Sequence, residues 1–192
     1  MDKRLKAGLG VLGLAAAIAA AAIAYNVIGR RAGQAVELLP AAGRESETTA
    51  ESRQKAPDFN MTDRAGNNVT LSAVLAGGKP VVINFWASWC PPCKIEMPEF
   101  DRVYRELGGE IQFMMVDLVD GQRETVQTGV RYVEEQGFSF PVFFDDRMEG
   151  AYAYGIRSIP TTLFVGRDGY IVTGKIGALD ERTLRTGIDM IR

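Results

Sequence analysis

A nearly continuous apolar run from Pro80 to Trp86 (PVVINFW) is followed, after three residues, by the first of the chain's two cysteines. Apolar runs of this kind are typical of a strand that is covered on both faces of a sheet. From Cys90 to Leu107 the pattern has helical spacing, and two glycines then end it. The apolar stripe of this helix is expected to consist of Ile95, Phe100, Val103, Tyr104 and Leu107. A buried strand that leads directly into a helix predicts an α/β architecture with helices packed on a sheet.

The rest of the chain after residue 56 repeats this alternation of strand and helix patterns. We expect further strands at residues 59–61, 69–71, 111–118, 141–144, 161–165 and 170–173, and helices at residues 123–136 and 148–154. A short helix capped by Ser72 and a closing helix capped by Asp180 complete the pattern. The first two strands enclose a turn and are expected to form an N-terminal β-hairpin. Together these elements predict a three-layer α/β sandwich with a mixed central sheet.

The two cysteines, Cys90 and Cys93, lie three residues apart in a chain that has no histidine. The absence of histidine excludes Cys–His catalytic pairs and histidine-ligated metal sites, and two thiolates are too few for a structural zinc site. With 22 basic and 24 acidic residues and a net charge of −2, the chain also lacks the basic excess of a nucleic-acid-binding protein. We therefore expect no metal, no separate cofactor and no nucleic acid, and a chemistry in which the two thiols react with each other.

The position of the cysteines between a strand and a helix suggests a redox mechanism. The amino end of a helix presents unpaired N–H groups and a partial positive charge, which stabilise a thiolate. We expect Cys90 to be the exposed nucleophile at the helix cap and Cys93, one turn inside, to be the shielded resolving cysteine. Pro91 and Pro92 suit the opening helical positions, which need no N–H donor. The alternative of a purely structural disulfide is weak, because so short a loop constrains the unfolded chain very little.

The amino-terminal segment is first basic, then apolar, then basic again. After three basic residues within Met1–Lys6, no charge occurs from Ala7 to Gly29, and Arg30 follows. As a helix, these 23 residues would be roughly 34 Å long, enough to span the ~30 Å core of a bilayer. We expect an uncleaved single-pass anchor with a cytoplasmic amino terminus. The alternative is a signal peptide with Ala22-Ile23-Ala24 as its cleavage pattern, which would give a periplasmic or secreted protein. Both place the rest of the chain outside the cytoplasm.

The composition divides the chain into three parts. Residues 1–29 form the predicted transmembrane or signal segment. Residues 30–56 contain charged residues among Ala, Ser and Thr, and are expected to form a flexible linker. Residues 57–192 have the composition of a globular domain, and their number suits a single hydrophobic core.

Two segments resemble the signatures of the TlpA/ResA-type thioredoxin-like proteins of the redoxin (AhpC/TSA) superfamily. They are Asn84–Glu99 (NFWASWCPPCKIEMPE) and Tyr154–Thr162 (YGIRSIPTT), and the resemblance extends over Ala56–Arg192. It implies a thioredoxin-like fold with an added strand–helix unit in the middle, on an exported and often membrane-tethered protein. It also implies that Pro160 forms a cis-proline loop facing the cysteines, and that Ile159 offers main-chain groups to an extended substrate.

The resemblance assigns a further role to Glu96, three residues after Cys93. Members of the family often carry a glutamate at this position that tunes the ionisation of the cysteines. Plain thioredoxin has instead a buried aspartate six residues before its first cysteine, where this chain has Asn84, which cannot carry a proton. We therefore expect Glu96 to manage the proton of Cys93. The alternative is that Glu96 is a solvated helix residue.

The other residues of the motif are expected to form the substrate site. Trp89, Pro91 and Pro92, together with Ile159, are the predicted substrate contacts. Trp86 is expected in the core, and Lys94 either adds positive potential at the cysteines or is simply solvated.

The proline pair also bears on the direction of electron flow. Pro91 and Pro92 offer no N–H groups to a Cys90 thiolate, so we expect a reducing couple and a protein-disulfide reductase. The resemblance implies that its substrates are oxidised exported proteins, apocytochrome c among them. It also implies an electron donor in the membrane, of the DsbD/CcdA type. We expect the protein to be a monomer.

Three other functions share part of this pattern. A thiol oxidase or isomerase of the same fold remains open. A Sco-type copper-delivery module is disfavoured, because it uses a wider cysteine spacing and a distal histidine, and this chain has no histidine. A peroxiredoxin is disfavoured, because the residues before Cys90 do not form the Pro-x-x-x-Thr-x-x-Cys context of a peroxidatic cysteine.

Overall fold

The computed structural model describes residues 53–192. The predicted membrane or signal segment and most of the predicted linker lie outside the described residues. Within residues 53–192, no helix has both the length and the apolar character needed to cross a bilayer. The last residues before the predicted domain boundary pair with the domain: Lys55 forms a bridge with Tyr170, and the Ala56 N–H donates to the Gly169 carbonyl at 2.9 Å.

The described residues form seven strands in one mixed sheet, with five helices. The strands are β1 (Asn60–Asp63), β2 (Asn68–Thr70), β3 (Val81–Trp86), β4 (Gln112–Leu118), β5 (Val142–Asp145), β6 (Thr161–Val165) and β7 (Ile171–Ile176). The helices are α1 (Leu71–Leu75), α2 (Pro91–Leu107), α3 (Val126–Gln136), α4 (Glu149–Ala153) and α5 (Glu181–Asp189). The strand order is β2-β1-β5-β4-β3-β6-β7. Strands β3, β4 and β5 run parallel, and the other pairs are antiparallel.

Strand β3 lies near the centre of the sheet and is buried on both faces, as its apolar run predicts. Val82 and Trp86 belong to a core cluster shared with α2 and α5, whereas Val81, Ile83 and Phe85 belong to a second cluster on the opposite face, with residues of β1 and α1. This alternation follows from the two-residue period of a strand.

The predicted thioredoxin-like α/β fold with a mixed sheet is confirmed by the strand order and by the helices that pack on the sheet. Helix α3 and strand β5 form the added strand–helix unit in the middle of the domain sequence.

The inner face of α2 differs from the predicted stripe at one position. Ile95 is 73% exposed, so its assignment to the apolar stripe was wrong. The buried residues of the helix are Cys93, Glu96, Met97, Phe100, Asp101 and Val103. These follow helical spacing from Cys93, and Ile95, two residues further along, points about 200° away from it around the axis. The buried face of α2 is therefore the face that carries Cys93 and Met97.

The cap of α1 also differs from the prediction. Thr70 is the N-cap residue, because its side-chain oxygen accepts a hydrogen bond from the Ala73 N–H at 3.1 Å. Ser72 instead lies in the first turn, where its N–H donates to Asp58 at 2.9 Å. The predicted cap of α5 is confirmed, since Asp180 Oδ1 accepts from the Thr183 N–H at 2.9 Å.

Candidate active site

Cys90 and Cys93 are joined by a disulfide at the amino end of α2, with their Cα atoms 5.3 Å apart. Cys90 is the N-cap residue, and its Sγ accepts a hydrogen bond from the Cys93 N–H at 3.3 Å. Pro91 and Pro92 occupy the first two helical positions. An N–H group at a helix amino end favours negative charge on an acceptor, so this geometry is suited to a Cys90 thiolate.

The prediction that Cys90 is exposed was wrong for this oxidised form of the protein. Cys90 is only 2% exposed, and Cys93 is fully buried. The cover over Cys90 includes the loop before β6, where the Ile159 carbonyl oxygen lies 3.7 Å from Cys90 Sγ. The peptide bond between Ile159 and Pro160 is cis, which is the geometry that the resemblance implies. The loop thus lies directly against the sulfur atom that an incoming thiolate or disulfide must reach.

Glu96 lies fully buried on the inner face of α2, one turn after Cys93. Its Oε1 accepts a hydrogen bond from Asn84 Nδ2 at 2.8 Å, and its Oε2 accepts from the Leu179 N–H at 2.8 Å. Asn84 also donates to Thr162 on the neighbouring strand at 3.0 Å. The alternative of a solvated residue is therefore wrong, although the proposed proton transfer to or from Cys93 stays a prediction.

Burial has the largest effect on the pKa of the Glu96 carboxyl group. It raises the pKa of Glu96 from 4.5 to about 7, although the hydrogen bonds from Leu179 and Asn84 act in the opposite direction. A group with a pKa near neutral pH can both accept and donate a proton under physiological conditions. Glu96 therefore has the ionisation that a proton-managing residue needs.

A second buried glutamate contacts the active-site loop. Glu124 is fully buried, and its Oε2 accepts hydrogen bonds from both the main-chain N–H and the Oγ of Ser88, each at 2.8 Å. Its Oε1 accepts from Thr128 Oγ1 at 2.8 Å. Sequence reasoning missed this residue, because nothing in the local pattern distinguishes Glu124 from a solvated carboxylate in a loop. It connects the segment before Cys90 to the segment between β4 and α3.

Asp117 at the end of β4 is a third buried acid that the sequence did not single out. Neither of its carboxyl oxygens has a hydrogen-bond partner among the described residues. Burial, with smaller contributions from the charges of Glu124 and Asp120, raises the pKa of Asp117 from 3.8 to about 9. Asp117 is therefore protonated at neutral pH. It packs so closely against α3 that a Cβ at Gly129 would lie 1.9 Å from its Oδ2.

The surface around the disulfide combines exposed apolar residues with cations. Trp89 is 37% exposed, Pro91 and Pro92 are exposed, and Trp86 lies in the core as predicted. The guanidinium carbon of Arg123 lies 3.7 Å from the centre of the Trp89 ring. Lys94 Nζ lies 4.9 Å from the centre of the Tyr132 ring, a cation–π distance. Among residues 53–192, no group of three or more Cys, Asp, Glu or His side chains could hold a metal ion.

Comparison with known proteins gives a consistent assignment. The model of the AhpC/TSA family matches residues 52–173. The thiol-disulfide oxidoreductase ResA of Halalkalibacterium halodurans is 32% identical over 144 residues, which cover 74% of this chain and 78% of that protein. The thioredoxin-like protein YneN of Bacillus subtilis is 27% identical over 146 residues, which cover 76% and 84% of the two chains.

Two solved structures share the fold. StoA from Bacillus subtilis superimposes with a TM-score of 0.59 at 27% identity, covering 69% of this chain and 96% of that one. A putative thiol:disulfide interchange protein DsbE from Chlorobium tepidum gives a TM-score of 0.64 at 26% identity, covering 73% and 97%. The names of ResA and DsbE describe thiol–disulfide exchange, the chemistry that a cysteine pair such as Cys90–Cys93 performs. The chain therefore belongs to the AhpC/TSA family, and within it to the ResA-type thiol–disulfide oxidoreductases.

Proposed function

We propose that this protein is an exported, membrane-tethered reductase of protein disulfides. The direction of electron flow is inferred from the small number of hydrogen bonds that Cys90 Sγ accepts. Among the described residues, the Cys93 N–H is the one N–H group that donates to this sulfur, because Pro91 and Pro92 have none. A couple becomes oxidising when its reduced thiolate is strongly stabilised. Because a single main-chain N–H donates to Cys90 Sγ, the thiolate of the reduced form is stabilised less than in a strongly oxidising protein. The couple is therefore expected to be reducing.

The reaction follows from the two positions of the cysteines. The Cys90 thiolate attacks one sulfur of a client disulfide, forming a mixed disulfide and releasing the other client sulfur as a thiolate, which takes up a proton. Cys93, which lies one turn inside α2 on its buried face, then attacks Cys90 Sγ. This second step releases the second client thiol and forms the Cys90–Cys93 disulfide. The client gains two electrons and the protein loses two.

Glu96 supports the second step. The Cys93 thiol must lose its proton before it can attack, and Glu96 lies one turn further along the same buried face of α2. With a pKa of about 7, its carboxylate can accept that proton at neutral pH. The hydrogen bonds from Asn84 and Leu179 hold the carboxyl group in place.

The location and partners of the protein are supported by its sequence. The uncharged segment from Ala7 to Gly29, between basic residues, suits a single-pass anchor that exports the domain. In an oxidising compartment a reductase must be reduced again, which calls for an electron donor in the membrane, of the DsbD/CcdA type. Its clients would be oxidised exported proteins, including apocytochrome c, and the protein would work as a monomer.

The first test is the midpoint potential of the Cys90/Cys93 couple, measured on the full-length protein in detergent against glutathione and dithiothreitol buffers. A value near that of thioredoxin, about −270 mV, supports the reductase. A value near about −120 mV makes the protein an oxidant and overturns the argument from the two prolines. Export is tested separately, by fusing to the carboxyl terminus a reporter that is active only outside the cytoplasm.

A further inference from the structure

We propose that Arg123 is a specificity-determining residue that binds an acidic side chain of the client next to Cys90. The preferred clients are then polypeptides with Asp or Glu within a few residues of their cysteines. The proposal rests on the proposed exchange with protein disulfides and adds the chemistry of the preferred partner.

Arg123 is held beside the reactive cysteine by Trp89, the residue directly before Cys90. The guanidinium carbon lies over the indole ring at 3.7 Å from its centre, and the Arg123 side chain is exposed. Stacking on an aromatic ring uses the face of the guanidinium group and leaves its in-plane N–H groups for an acceptor. Arg123 forms no ion pair with any residue in the described range 53–192, whereas eleven ion pairs occur elsewhere in that range.

The loop that carries Arg123 is fixed on both sides. Asp120 Oδ1 accepts hydrogen bonds from the main-chain N–H groups of Gln122, Arg123 and Glu124 at 2.7 to 2.9 Å. The Glu124 side chain is bonded to Ser88, so consecutive residues of this loop contact consecutive residues of the active-site loop. An arginine fixed in this way loses little conformational freedom when a client binds, which favours its use as an anchor.

The charges around the disulfide are arranged to attract an anion, although the whole chain carries a net charge of −2. Two more exposed cations come from other elements: Lys94 directly follows Cys93, and Arg157 lies two residues before Ile159. Neither forms an ion pair with another described residue. Of the neighbouring carboxylates, Glu96 and Glu124 are buried, and the exposed Asp120 accepts hydrogen bonds from three main-chain N–H groups of its own loop.

The apolar residues at the site favour a polypeptide over a small disulfide as the partner. Trp89, Pro91 and Pro92 form an exposed apolar rim next to the cysteines, and the 73% exposed Ile95, one turn after Pro91, extends this rim along the outer face of α2. A chain segment can cover this rim and also place a carboxylate on Arg123, whereas a small disulfide would leave much of the rim in contact with water. Apolar contact with neighbouring opposite charge is the arrangement that gives protein interfaces their selectivity.

The test compares two disulfide-bonded peptides that differ only in Glu or Gln at the residues flanking one cysteine. The reduced full-length protein is mixed with each peptide, and the rate of peptide reduction is followed at low and at high salt. We expect the Glu peptide to react about fivefold faster at low salt, and the preference to vanish at high salt. Arg123→Gln should bring the ratio of the two rates close to one. The matched control Arg167→Gln removes an equal charge from the exposed turn between β6 and β7, at the opposite end of β6 from Pro160, and should keep the ratio.

Other outcomes overturn the proposal. Equal rates for the two peptides with the wild-type protein would mean that no acidic anchor exists, and a ratio kept by Arg123→Gln would place the anchor elsewhere. A neutral small disulfide serves as a further probe: if Arg123→Gln slows its reduction as much as that of the Glu peptide, Arg123 acts on Cys90 and not on the client. If the protein proves to be an oxidant, the same ratio is measured on the two peptides in their dithiol form, so the proposed direction of electron flow can fail independently.

Discussion

The Oε2 atom of Glu124 accepts hydrogen bonds from both the main-chain N–H and the Oγ of Ser88, each at 2.8 Å. Ser88 lies two residues before Cys90, and Glu124 lies at the end of the loop that follows β4. One buried carboxyl group therefore satisfies two donors of the active-site loop, with a third donor from Thr128 on its other oxygen. The loop before the reactive cysteine is positioned by a residue that lies 36 positions further along the chain.

The Glu124 contact can be tested by replacing the side chain. Glu124→Ala removes the acceptor of three donors, two from Ser88 and one from Thr128, and a buried donor without a partner costs about 1–3 kcal/mol. We expect the free energy of unfolding to fall by about that amount in urea denaturation. Glu124→Gln keeps one acceptor oxygen and should lose less. The control Glu135→Ala, an exposed residue of α3, should change stability by less than about 0.5 kcal/mol. Equal effects of Glu124→Ala and Glu135→Ala would show that the contact contributes little.

The fold could be predicted from the sequence because buried apolar residues recur along the chain with the period of a strand or of a helix. Strand β3 and strand β6 were recognised from their apolar residues, and α5 from its Asp180 cap. Cys90 and Cys93 were recognised because the motif is contiguous, with a strand before it and a helix after it.

The rest of the site could not be predicted, because it depends on which strands are neighbours. Asp117 pairs with Trp86 only because β4 lies beside β3 in the sheet. Glu124 reaches Ser88 for the same reason, and no local pattern encodes that neighbour. Ile95 was placed wrongly because an apolar side chain was assumed to face the core, whereas this one lies on the exposed face of α2.

The exposure of Ile95 predicts that truncating it lowers the free energy of unfolding much less than truncating Met97 on the same helix. Met97 is fully buried, so Met97→Ala should lower the free energy of unfolding by about 2–5 kcal/mol, through lost burial and a residual cavity. Ile95→Ala should change it by less than about 0.5 kcal/mol. Urea denaturation of both variants, with the disulfide intact, measures the difference. A large loss for Ile95→Ala would mean that this residue packs in the core after all.

Asp117 predicts a fall in stability at alkaline pH. Burial raises its pKa from 3.8 to about 9, so between these values the folded protein binds a proton that the unfolded chain does not. The free energy of unfolding therefore decreases as the pH rises, by up to about 1.4 kcal/mol per pH unit for one proton. Between pH 7 and pH 9, where Glu96 with its pKa of about 7 contributes much less than Asp117, we expect the wild type to lose on the order of 2 kcal/mol from Asp117.

The matching variant is Asp117→Asn, which cannot ionise and should lose much less stability over the same pH range. Denaturation in urea at several pH values between 7 and 9 measures both slopes. Asp146→Asn, at an exposed carboxyl group on the loop after β5, is the control and should keep the wild-type slope. If Asp117→Asn shows the same fall as the wild type, the alkaline loss arises from another group.

The last prediction concerns the proton of Cys93. Because Glu96 has a pKa of about 7 and lies one turn after Cys93, the attack of Cys93 on a mixed disulfide at Cys90 should depend on the ionisation of Glu96. In the wild type, the rate of this step in a single turnover should rise with pH around 7, as the carboxylate forms and can accept the proton. Glu96→Gln should remove that inflection and slow the step about a hundredfold, the lower end of general-base effects.

Two comparisons separate this role from a structural one. Glu106→Gln removes the same charge from an exposed position of α2 and should leave the inflection in place. Titration of the reduced cysteines should also differ between the wild type and Glu96→Gln, because a buried negative charge near a thiol disfavours its ionisation. If the variant folds with an unchanged titration and an unchanged inflection, then Glu96 serves only to join Asn84 to Leu179, and the proton of Cys93 leaves by another route.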